Sequence, residues 1–75
     1  SLYYQLEEML LSFGDDVCLF GNNNIITGRK IKAFIYIIIN EEGIAIYLNN
    51  IQYTINSEKE LYKLEEKIEK AYDEN

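Results

Sequence analysis

Between Ile31 and Glu58 three short signals constrain one another more tightly than anything else in the chain. The run Ala33 to Ile39 is apolar throughout and is closed by Asn40-Glu41-Glu42-Gly43. Ile44 to Leu48 follows, then Asn49-Asn50, then the alternating Ile51-Gln52-Tyr53-Thr54-Ile55, and then Ser57-Glu58-Lys59-Glu60. Short Ile- and Tyr-rich runs bounded by Asn and Gly read as strands joined by turns. A Ser with Glu three residues on reads as a capped helix start. The stretch therefore predicts an antiparallel meander over 31–39, 44–48 and 51–55 that feeds a helix near 58–72.

Register follows from the side-chain pattern. A four-residue loop at 40–43, with Gly43 at its left-handed end, pairs Ile39 with Ile44, Ile37 with Ile46 and Ile35 with Leu48, all aliphatic. A three-residue loop would pair Asn40 with Ile44 and mix the two faces, because a slip of one residue inverts every side chain. Asn49-Asn50 suits a type I′ turn, since Asn tolerates positive φ; it pairs Leu48 with Ile51, Ile46 with Tyr53 and Ile44 with Ile55. Both turns select one helix-facing set: Ile35, Ile37, Ile39, Ile44, Ile46, Leu48, Ile51, Tyr53 and Ile55.

At the start of the chain Leu2, Leu6, Met9, Leu10 and Phe13 line one side of a helix near 2–13, with Gly14 expected at its left-handed end. Leu61, Leu64, Ile68, Ala71 and Tyr72 make the matching stripe on the last helix. Val17 to Phe20 is a short apolar run, Gly21-Asn22-Asn23-Asn24 reads as a loop, and Ile25-Ile26-Thr27 either begins a further strand, with Gly28 as a bulge, or does not. The fold class is accordingly α+β: one small domain over residues 1–75, a helix, a three- or four-stranded antiparallel meander and a helix, with both helices on one sheet face.

Several functions are disfavoured by residues the chain lacks. It has no His and a single thiol, Cys18, so the common zinc patterns, a His-dependent triad and an internal disulfide are all out of reach. No catalytic residues, metal ligands or cofactor are expected. With 48% apolar and 27% charged residues it is not a disordered chain, and its longest apolar run falls far short of the roughly 20 residues of a membrane span. A cytoplasmic setting without membrane contact is expected, with no small-molecule substrate evident. The net charge of −6 leaves only Arg29, Lys30 and Lys32 as a basic knot, too little to neutralise a phosphate backbone. Direct nucleic-acid binding is not expected.

Two surfaces remain as candidates. The reverse face of the meander carries Phe34, Tyr36, Ile38 and Tyr47, which the helices should leave bare; contiguous aromatic and aliphatic patches of this sort mark partner sites. The last helix carries Glu65, Glu66 and Glu69, which could present an acidic surface to a basic cleft.

The order helix, antiparallel strands, helix resembles in layout the double-stranded-RNA-binding domains. That family reads RNA with a Lys-rich start to its final helix and a His-bearing loop, whereas Ser57-Glu58-Lys59-Glu60 is acidic and His is absent, so the layout does not carry the function across. The expected function is a non-enzymatic, acidic protein-interaction module that occupies a partner protein's surface. The absence of Pro and the wealth of Tyr, Ile, Asn, Glu and Lys suit an AT-rich coding source such as a low-GC bacterium, its phage or a mobile element, and an accessory protein or inhibitor of a phage or mobile element is the expected kind of module. The alternative is a structural or regulatory domain that forms a homodimer through its open sheet face.

Overall fold

The computed structural model describes residues 1–75, which form α1 (Leu2–Ser12), β1 (Cys18–Asn22), β2 (Ile25–Arg29), β3 (Ala33–Asn40), β4 (Gly43–Leu48), β5 (Ile51–Ile55) and α2 (Glu58–Asp73). The strands form one open sheet in the order β1-β2-β3-β4-β5, each antiparallel to the next. The α+β class stands, with five strands where three or four were expected. The additional hairpin comes from residues 18–29. Gly21 and Asn22 belong to β1 instead of a loop, and Asn23 (φ 50°) and Asn24 (φ 69°) alone make the corner. Asn49 (φ 51°) and Asn50 (φ 68°) adopt the same pair of angles between β4 and β5. Positive φ at both central residues defines the type I′ turn, whose twist matches that of the strands it joins.

The central register is as the pattern requires: Ile37 faces Ile46, Ile39 faces Ile44, and across β4 and β5 the pairs are Leu48–Ile51, Ile46–Tyr53 and Ile44–Ile55. The β3–β4 loop is tighter than expected, since Asn40 pairs with Gly43 and only Glu41 and Glu42 turn. The centre of the hairpin is unchanged, so the faces are too. Gly43 sits at φ 149°, and a Cβ there would stand 2.5 Å from the Ile55 carbonyl oxygen, so only glycine lets β5 approach.

Both helices lie on the face that carries the aliphatic set. Leu6, Met9 and Leu10 of α1 and Leu61, Ile68, Ala71 and Tyr72 of α2 share one core with Ile35, Ile37, Ile44, Ile46, Leu48 and Ile55. Tyr53 and Leu64 pack against it half-buried. Ile39 (49% exposed) and Ile51 (55%) have the right parity but lie outside it. Each sits next to a turn, past the stretch of sheet that the helices cover. α2 begins as its sequence suggests: the Glu60 amide donates to Ser57 Oγ at 3.2 Å. The reciprocal arm reaches one residue further back than in a standard capping box, with the Asn56 amide donating to Glu60 Oε1 at 2.8 Å.

Gly14 has no left-handed φ; α1 ends at Phe13 in right-handed geometry. What Gly14 supplies is space, because a Cβ there would collide with the Tyr72 hydroxyl and Asp16 Oδ1. Tyr72 donates its phenol to Asp16 Oδ1 at 2.6 Å, lies between the rings of Phe13 (5.5 Å) and Phe34 (5.6 Å, edge-on), and has Lys30 Nζ 4.4 Å from its ring centre. The hydrogen bond to Asp16, then burial, then the charges of Asp16, Asp73 and Asp15 push the phenol up from 10.0 to about 12. The native state thus favours the neutral phenol. Its contribution is complete below pH 10 and is lost between pH 10 and about 12. Tyr72→Phe is expected to be less stable than the wild type near neutrality, with the difference shrinking across that window. Urea melts at about pH 8 and about pH 11 check this, and an equal difference at both would contradict the bond.

Candidate functional site

Strand pairing assembles the outer sheet face as two full rows, with Cys18, the exposed Arg29 and Ala33 beginning a third at one end. Phe20, Thr27, Tyr36, Tyr47 and Gln52 face one another from β1 to β5, and beside them run Asn22, Ile25, Ile38, Ala45 and Thr54. None of these ten side chains is charged at neutral pH, although the chain as a whole is 27% Asp, Glu, Lys and Arg. Phe20 (52%), Tyr36 (46%) and Ile25 (38%) are well exposed, whereas Ile38 and Tyr47 are half-buried. Ala45 lies hidden beneath its larger neighbours. A shallow hollow of about 500 Å³ runs along β3 and β4 past Ile25, Tyr36, Ile38 and Tyr47, towards Asn50 and Asn75 at the sheet end. Its chemistry is aromatic, aliphatic and amide.

Tyr36, Ile38 and Tyr47 are brought together here as the alternation of β3 and β4 implies, with Tyr36 directly opposite Tyr47. Phe34 borders one end of that hollow but is almost wholly buried and does not stand out from the face as Tyr36 does. Gly28 pairs with Ile35 but Arg29 pairs with Ala33, so Phe34 is an extra residue in β3, a β-bulge. A bulge bends the strand and re-aims a side chain. Here it delivers the Phe34 ring to Tyr72 of α2, where Phe34 is only 4% exposed and belongs to the core. Gly28 stands opposite the bulge, and a Cβ there would strike Ile35 Cγ2 at 2.5 Å.

Phe20 and Ile25 belong to this face and are missing from the sequence reading. Their signal was present in the repeated Asn-Asn corner. If Asn23-Asn24 is read as Asn49-Asn50 is, Asn22 opposes Ile25 and Phe20 opposes Thr27, which extends the face by two strands.

The acidic candidates lie elsewhere. Glu65, Glu66 and Glu69 are exposed on α2, on the opposite side of the molecule from the outer sheet face. The acids are dispersed, and no three His, Cys, Asp or Glu side chains converge. The basic knot is partly engaged: Lys30 lies over Tyr72, and Arg29 Nη2 donates to the Ile31 carbonyl at 3.4 Å. No helix is long and apolar enough to cross a membrane. No protein-family model matches this chain, and no curated protein and no solved structure matches it either.

Proposed function

We propose that this chain is a non-enzymatic, acidic protein-interaction module that works by laying its outer sheet face on the surface of a partner protein, as an accessory protein or inhibitor of a phage or mobile element would. The observation that carries the reading is the pair of full rows across the centre of the face, none of whose ten side chains is charged, with Arg29 at the margin. Interface centres are depleted of charged residues and enriched in Tyr and Phe, because burying an unpaired charge is costly whereas an aromatic ring brings large area with few torsions to freeze. Tyr hydroxyls and the Asn and Gln amides give the face hydrogen-bonding groups that can be satisfied across a contact. The same lack of charge would let two copies, each of net charge −6, meet face to face, which is the alternative occupant.

The paired substitution Tyr36→Ser with Tyr47→Ser tests the face. Tyr36 is exposed and Tyr47 half-buried on the outer side, so the domain should keep its fold. Affinity for a partner isolated with the wild-type chain should fall by about 1 kcal/mol or more, measured by titration calorimetry. An acidic-mimic role forecasts the reverse: binding survives that change but weakens steeply with salt and with Glu65→Gln, Glu66→Gln and Glu69→Gln. If the tyrosine pair leaves affinity unchanged, the outer face is not the binding surface.

A further inference from the structure

A five-stranded open sheet has two edges, and they are protected very differently. Along β5, Lys67, Lys70 and Glu74 of α2 share a cleft with Ile51 and Tyr53, placing charges beside that edge. Such charges discourage another strand from pairing. β1 reads Cys18-Leu19-Phe20-Gly21-Asn22, with no charge and no proline, and every residue but Leu19 is exposed.

The hairpin geometry fixes which backbone groups of β1 are free. In a two-residue hairpin the pair flanking the turn exchanges both hydrogen bonds, and bonded and non-bonded pairs alternate from there. Asn22, Phe20 and Cys18 therefore spend their amide and carbonyl groups on Ile25, Thr27 and Arg29. Those of Leu19 and Gly21 point away from the sheet.

We propose that β1 pairs antiparallel with β1 of a second copy of this chain, about a two-fold axis at Phe20, to make one continuous ten-stranded sheet. In that register Leu19 exchanges both backbone hydrogen bonds with Gly21 of the other copy, and Gly21 with its Leu19, so every free group on the strand finds a partner. Side chains agree with backbone. Leu19 and Gly21 share the inner face, and around Gly21 there is nothing within 4 Å of where a Cβ would be, so the opposing Leu19 enters open space. On the outer face the two Phe20 rings, each 52% exposed in the single chain, become direct neighbours. A second copy suits this edge because the strand is complementary to itself: small opposite large, aromatic opposite aromatic, no charge opposite charge. The inference does not depend on what the outer face binds. It would join the two outer faces into one surface and present each binding site twice.

The register makes Cys18 and Asn22 of the two copies a non-hydrogen-bonded pair, with Cα atoms about 4.5 Å apart, inside the roughly 4.4–6.8 Å that a disulfide spans. The expected results for the full chain are these. By light scattering the wild type has twice the monomer mass, and Gly21→Glu, whose side chain has free space in the single chain, is folded by circular dichroism but has the monomer mass. Asn22→Cys treated with diamide becomes a covalent dimer on a non-reducing gel, each new bond taking two protons and two electrons from two thiols to the diamide. The same variant with Cys18→Ser does not. A monomeric wild type, a dimer that survives Gly21→Glu, or cross-linking that does not require Cys18 would each overturn the proposal. So would a chain that stays monomeric and instead accepts a foreign extended peptide along β1.

Discussion

Ile46→Ala is expected to destabilise the protein by about 2–5 kcal/mol. Ile46 is fully buried in the central part of the sheet, opposite Ile37 on one side and Tyr53 on the other. It belongs to the core that both helices cover, so the missing methyl groups leave a cavity that rigid neighbours on both sides cannot close. A domain of 75 residues has roughly 4–11 kcal/mol in total at about 0.05–0.15 kcal/mol per residue, so the single change removes a large part of it. A urea melt gives the value directly. A loss below about 1 kcal/mol would contradict the core position of Ile46.

Phe34→Ala is expected to cost as much or more, about 3–5 kcal/mol, while Tyr36→Ala, two residues along the same strand, should cost well under that. The contrast comes from the bulge. Phe34 is 4% exposed and lies edge-on to Tyr72, whereas Tyr36 is 46% exposed on the other side of the sheet. Parallel melts of the two variants decide the matter. Similar small losses for both would mean that Phe34 points outward with Tyr36, as plain alternation along β3 implies.

That contrast also shows where reading from sequence succeeds and where it stops. From Ile35 to Ile55 the faces follow from counting by twos, because two independent turns choose the same aliphatic side and an error in either would have buried Asn40 or exposed Ile46. Counting fails at Phe34, where one inserted residue reverses the parity upstream, and nothing in Lys32-Ala33-Phe34-Ile35 marks the insertion. It fails differently at Asn22-Asn23-Asn24, since either adjacent pair of the three identical residues could form the corner and each choice gives another pairing. The outer face shared both fates: Tyr36, Ile38 and Tyr47 lie on it as counting implies, the bulge turns Phe34 into the core, and the ambiguous corner hid Phe20 and Ile25. Gly14 shows a third limit. Its role is set by Tyr72, far away in sequence, so a local rule assigned it a backbone angle it does not have.

In this sheet, strand order in space copies strand order in the chain. Every ladder can therefore close as soon as its second strand has left the ribosome, without waiting for remote residues. The cover is another matter, because α2 shields β3, β4 and β5, and Tyr72 reaches back to Asp16. Until residues 58–73 have been synthesised, Ile35, Ile37, Ile44 and Ile46 of the newly made meander have only α1 to cover them. The interval between finishing β5 and docking α2 is when this protein is most exposed to aggregation and to chaperones.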